Sequence, residues 1–154
     1  FFFFTETASP EIYTLSLPDA LLISPSLGKL TLSVLIAATG LLIPLQCEYY
    51  PLEGISSITD LMEQLKSSGV NRKLELIGVL MTMFDSRTNL SRMVVAEVRE
   101  HFGDKVFRTV IPRATRVAES PSHGKPILYY DPYSAGSAAY EAAAGETIKR
   151  LGLG

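Results

Sequence analysis

The apolar positions change their period several times along the chain, and each change marks an element. Leu41-Leu42-Ile43-Pro44-Leu45 is a short, continuous apolar run between Gly40 and the polar exit Gln46-Cys47-Glu48. Such a run predicts a strand over 41–46 in a parallel sheet, buried on both faces. Lys29 to Ala38 reads as a buried helix turning into that strand at Gly40. The stretch 27–45 approaches the length of a membrane span, but Lys29, Gly40 and Pro44 interrupt it, so the helix-then-strand reading is preferred. Pro51 suits the first turn of a following helix, because its φ is already helical and its missing N–H has no intrahelical partner there. From Pro51 to Ser68, Leu52, Ile55, Ile58, Leu61, Met62 and Leu65 recur at helical spacing, and Gly69 ends the run.

The second half repeats the alternation. Leu74 to Phe84 is rich in β-formers and predicts the next central strand. Asn89 or Ser91 is expected to cap a helix whose Met93, Val94, Val98 and Phe102 face the core, with Gly103 as its stop. Val106 to Ile111 predicts another short strand. Residues 112–133 hold four prolines and read as loop, and Ser134 to Leu151 as an alanine-rich closing helix opposed by Gly145. Strands alternating with helices of this length predict an α/β domain, a three-layer arrangement around a parallel sheet. In such sheets ligands bind at the C-terminal ends of the strands. The polar exit after residue 46 therefore becomes the place to look.

Composition narrows this picture. The 154 residues suffice for one domain with a real core, and 47% hydrophobic against 19% charged is a globular balance. A formal net charge of −2 gives no global attraction to nucleic acid, so any such binding rests on a local patch. Cys47 is the single cysteine, which excludes an internal disulfide and fits a reducing compartment. His101 and His123 lack metal-ligand neighbours in sequence, and Ser26 and Ser122 lack a paired base. Glu48 and Glu53 fit the favourable dipole of a helix start. Residues 1–24 carry neither the basic start nor the cleavage site of a secretory signal. They resemble translated sequencing-adapter read-through and are expected to be a non-native leader.

From about Pro25 onward, four ordered motifs resemble the ParA/Soj chromosome- and plasmid-partitioning ATPases, a deviant-Walker branch of the P-loop NTPases. They are Pro25-Ser26-Leu27-Gly28; Ile43-Pro44-Leu45-Gln46-Cys47-Glu48-Tyr49-Tyr50 with Leu52-Glu53-Gly54; Thr82-Met83-Phe84-Asp85-Ser86-Arg87-Thr88-Asn89-Leu90; and Val110-Ile111-Pro112-Arg113 leading to Pro121-Ser122-His123-Gly124-Lys125-Pro126-Ile127. The resemblance implies that residues 25–154 are the C-terminal part of such an ATPase domain. For the intact protein it implies ATP and Mg²⁺ binding, a nucleotide-dependent homodimer, non-specific DNA binding, hydrolysis stimulated by a ParB-type partner, and a cytoplasmic, nucleoid-associated location without a membrane role.

By the same resemblance Met83, Pro112 and Arg113 are the candidates for holding the nucleotide base, and Arg87, Arg116 and Lys125 for contacting DNA. For Met83 and Pro112, plain packing at strand ends is the alternative; for the basic residues, an ordinary solvated surface. In sequence, Arg108, Arg113, Arg116 and Lys125 cluster with only Glu119 opposing them. No G-x-x-x-x-G-K-[ST] occurs in this chain, Leu22 stands where the family's Walker B aspartate is expected, and Ala114 replaces the usual asparagine after Pro-Arg. The chain is accordingly expected not to hydrolyse ATP by itself; a non-enzymatic DNA- or partner-binding half-domain is the alternative reading.

Overall fold

The computed structural model describes residues 2–4, 21–23, 29–48 and 51–153. They form β1 (Phe2–Phe4), β2 (Leu21–Ile23), α1 (Lys29–Ala37), β3 (Gly40–Gln46), α2 (Pro51–Ser67), β4 (Glu75–Phe84), α3 (Asn89–Phe102), β5 (Val106–Pro112), α4 (Thr115–Glu119), α5 (Ile127–Tyr130) and α6 (Ala135–Arg150). The chain divides into two compact units. One comprises Phe1–Leu45 with Tyr50–Val79, the other Gln46–Tyr49 with Leu80–Gly154.

In the first unit the strand order is β2-β1-β3-β4. β1 pairs in parallel with β2, Phe3 opposite Leu22, and with β3, Phe3 opposite Leu42. Gly40 to Ile43 are buried without alternation, which requires cover on both faces of β3. The N–H of Glu75 donates to Thr39 O at 3.0 Å where β4 begins. Asn71 is buried and its Nδ2 donates to the carbonyls of Leu35 and Ala38, both at 2.7 Å. It thereby satisfies two carbonyls left open at the end of α1. α1 is one-sided: Thr31, Val34, Leu35 and Ala38 are buried, while Leu32 and Ile36 reach the surface, so the expected buried helix is buried along one stripe. In α2 the predicted face holds for Ile55, Ile58, Met62 and Leu65, which are buried; Leu61 is half-buried.

In the second unit the order continues from β4 to β5. Gly78 to Met81 are buried in succession, again the mark of a strand covered on both faces. α3 and α6 pack on β5, where Phe107 is fully buried. The cap of α3 is Thr88, whose hydroxyl accepts the Ser91 N–H at 3.2 Å. Neither expected residue caps it, because Asn89 is already helical and Ser91 lies inside the first turn. Val95 is buried and Met93 is 67% exposed, so the helix is rotated relative to the expected face. Gly103 ends α3 with φ 50°, as expected of a glycine stop. Residues 112–133, expected as loop, instead contain α4, a 3₁₀ turn over Ser120–His123 and α5. Two of their four prolines fall at helix starts: Pro121 is in the first turn of the 3₁₀ segment and Pro126 is the residue before α5. These positions lack an N–H demand, which is why Pro punctuates helices here without excluding them.

Among the described residues no helix is long and apolar enough to cross a membrane. The leader expected over residues 1–24 lies mostly outside the described residues; Phe2–Phe4 and Leu21–Ile23 form β1 and β2.

Candidate functional site

The second unit gathers the polar exits that follow β3, β4 and β5. Cys47 N–H donates to Thr82 O at 2.9 Å, and Arg113 N–H donates to Phe84 O at 2.8 Å. In a regular strand, carbonyls two residues apart face the same neighbour. Here they face opposite ones. The residue between them, Met83, has φ 55° and is the non-glycine residue with positive φ among those described. Its left-handed backbone shifts the alternation by one, so β4 serves the exit of β3 with one carbonyl and the end of β5 with the next. Backbone of this kind costs about 1–3 kcal/mol and concentrates at functional sites.

Around this switch lie four charged groups. Glu48 and Arg113 form an ion pair, each about half exposed. Asp85 receives Arg87 Nε at 2.9 Å and Nη2 at 2.7 Å, a two-pronged pair, and its Oδ1 also accepts the Arg87 N–H at 3.0 Å. These contacts with Arg87, with Arg113 adding its charge, hold the Asp85 carboxyl well below the usual range. Beneath them Ser91 is buried and donates its hydroxyl to Cys47 O at 3.3 Å while accepting the Asp85 N–H at 3.3 Å. Cys47 is buried. Burial first, and the Glu48 charge second, push its thiol up to about 11. A protonated, enclosed thiol is a poor nucleophile, so this cysteine is a packing residue.

A second cluster surrounds Tyr130. Arg116 Nη1 lies 3.4 Å from both the Tyr130 hydroxyl and Glu119 Oε2, and Arg116 Nε is 3.7 Å from Asp131. His123 stacks on the Tyr130 ring at 4.8 Å between centroids. Gly124 follows with φ 60°, its N–H donated to Pro121 O, and Lys125 is exposed just beyond it.

Met83, Pro112 and Arg113 are thus brought to adjacent strand ends. Arg87 joins them through Asp85, Arg116 belongs to the Tyr130 cluster, and Lys125 has no ion-pair partner among the described residues. In the cluster of Arg108, Arg113, Arg116 and Lys125, Glu119 is joined by opposing carboxylates distant in sequence or just beyond it: Glu48 holds Arg113, and Asp131 with Glu119 flanks Arg116. Outside that cluster Asp85 holds Arg87. Sequence reading missed Asp85 and Tyr130. The Asp85-Ser-Arg87 spacing, which suits a side-chain turn onto the second N–H, was the available signal for the first. Glu48, read as a helix-start residue, is an ion-pair partner.

The described residues do not fit the triphosphate and metal of a nucleotide. No group of three or more His, Cys, Asp or Glu side chains converges on a metal position among the described residues. Of the two carboxylates at the strand ends, Asp85 is occupied on both oxygens by Arg87 and Glu48 is paired with Arg113.

Residues 19–76 match the model of a family described as an AAA domain. The chain is 47% identical over 146 residues to chromosome-partitioning ATPase Soj of Thermus thermophilus, covering 95% of this chain and 57% of that protein. It is 51% identical over 126 residues to chromosome partitioning protein ParA of Myxococcus xanthus, covering 82% and 44% respectively. The chain belongs to the ParA/Soj family. It spans about half the length of the curated relatives it matches. Among solved structures, cobyrinic acid a,c-diamide synthase from Mycobacterium smegmatis with bound ADP and magnesium aligns at TM-score 0.62 and 31% identity, over 87% of this chain and 49% of that one. The ParA/Soj resemblance and the α/β parallel-sheet class expected from the sequence are both borne out.

Proposed function

We propose that this chain supplies the base-side and DNA-facing part of a ParA/Soj-type partitioning ATPase. In the whole protein, ATP with Mg²⁺ drives homodimerisation and non-specific DNA binding, and a ParB-type partner stimulates hydrolysis, on the nucleoid in the cytoplasm. The observation that carries this reading is the meeting of three family motifs at one set of strand ends, where Met83, Pro112 and Arg113 lie together. Met83, Pro112 and Arg113 contact the base; Arg87, Arg116 and Lys125 contact phosphates of duplex DNA. Because a phosphate must compete with Asp85, Glu119 and Asp131, DNA binding by this chain is weak and steeply salt-dependent. With no phosphate loop among its residues, the chain does not turn over ATP alone.

The test is ATP turnover and anisotropy of a labelled random-sequence duplex, both measured on the purified 154-residue chain. We expect no turnover, and binding at low salt that Lys125→Glu weakens equally for unrelated sequences. Turnover above the no-protein rate would overturn the first half; binding insensitive to salt, or to Lys125→Glu, would overturn the second.

A further inference from the structure

The strand order ends at β5, so one row of its backbone groups meets no strand among the described residues. Two side chains of α6 occupy that row. Arg150 Nη2 donates to Val106 O at 2.9 Å, and Glu146 Oε1 accepts the Arg108 N–H at 2.9 Å. A parallel neighbour strand would place one residue so that its N–H meets the carbonyl of 106 and its carbonyl meets the N–H of 108. The Glu146–Arg150 pair reproduces both bonds with side chains.

The imitation is tightly held. Glu146 and Arg150 are one helical turn apart and paired at 3.0 Å, with side chains only 17% and 20% exposed. Glu146 Oε2 also accepts the N–H and the hydroxyl of Thr109, both at 3.0 Å. Arg150 Nη1 donates to Asp104 O at 3.0 Å, and its guanidinium lies 4.4 Å from the centre of the buried Phe107 ring. At the far end, Arg113 turns its N–H inward to Phe84 O, so Pro112 before it faces outward and offers no N–H. An exposed edge is a template for pairing with another chain, and proteins blunt it with charge and proline.

We propose that the outer edge of β5 is a strand-addition surface held shut by Glu146 and Arg150, and that the partner it excludes is a second copy of this chain adding its own β5. Two copies related by a two-fold axis would bring their β5 edges together antiparallel, and the outward Val106 carbonyl and Arg108 N–H serve that ladder as well as a parallel one. The edge offers the carbonyl of Val106 and the N–H of Arg108, which are outward groups of the kind a strand pairs through.

The experiment is sedimentation of the full chain across a concentration series, alongside amide exchange at Arg108 and Thr109. Glu146→Ala is expected to speed exchange at both amides at least tenfold and to lower the concentration for self-association about tenfold relative to the parent chain. Glu146→Gln, which keeps the helix and one acceptor oxygen, is expected to fall between. Adding Arg108→Pro to Glu146→Ala deletes an outward N–H and should return association to the parent level. Unchanged association in both Glu146 variants, or association that survives Arg108→Pro, would overturn the proposal.

Discussion

Arg87 grips both oxygens of Asp85, Nε on Oδ1 at 2.9 Å and Nη2 on Oδ2 at 2.7 Å, while 84% of the arginine side chain stays in solvent. The head group is therefore accessible but engaged. A DNA phosphate reaching Arg87 exchanges one two-pronged anion contact for another, and gains little from the exchange. Asp85→Asn keeps the oxygen that accepts the Arg87 N–H and removes the competing charge. We expect it to tighten duplex binding roughly three- to tenfold near 50 mM salt, with the gain fading by about 200 mM. Glu63→Gln, on the exposed side of α2, controls for the altered net charge. Equal gains from the two variants would remove Arg87 from the DNA surface.

Cys47 gives a prediction with a defined sign. Its pKa is pushed up to about 11, burial being the larger cause and Glu48 the smaller. A thiol with a raised folded pKa stabilises the fold fully below the unfolded thiol pKa of about 8.5 and loses that contribution as pH climbs toward the folded value. At pH 8 the native thiolate population is roughly 100-fold smaller than in the unfolded chain, since each pKa unit is a factor of ten. Iodoacetamide should accordingly label Cys47 at least 100-fold faster in denaturant than in the native chain. Chemical stability should fall more steeply between about pH 9 and 11 in the parent than in Cys47→Ala, where Tyr140, whose pKa desolvation also raises, still titrates with the same sign. Equal labelling rates in the two states would show the thiol to be open.

Much of the fold was legible because burial leaves a periodic trace. The runs 41–46 and 74–84 predicted their strands to within a residue or two, and glycine marked the ends of α2 and α3. What escaped has physical reasons. In Thr88-Asn89-Leu90-Ser91 three residues can cap, and only the backbone angle at Thr88 decides among them. Met93 and Val95 differ by two positions on α3, so a small rotation of the helix exchanges which one is buried. Glu48 and Arg113 lie 65 residues apart in sequence, and no local pattern pairs them. The motifs at the ends of β4 and β5 were visible as residue types, but the left-handed backbone at Met83, which sets their geometry, leaves no mark in composition.

α6 contains two glycines, of which the sequence reading weighed only Gly145, and the structure makes them opposites. A Cβ built at Gly145 meets nothing within 4 Å, whereas one at Gly136 falls 2.5 Å from Val117 Cγ2. Gly145→Ala removes the conformational freedom that glycine loses on folding and adds no clash, so it should stabilise by about 0.5–1 kcal/mol. Gly136→Ala gains the same helix preference but must displace Val117, whose branched side chain has little rotameric freedom. Overpacking of this kind costs about 1–3 kcal/mol, so the net effect is a loss, largest where α4 meets α6. Thermal melts of the two variants should move in opposite directions. Val117→Ala introduced beside Gly136→Ala should recover part of the loss, because it removes the methyl that the new Cβ strikes. If Gly136→Ala instead melted above the parent, α6 would have to seat differently against α4 than its buried Gly136 and Ser137 indicate.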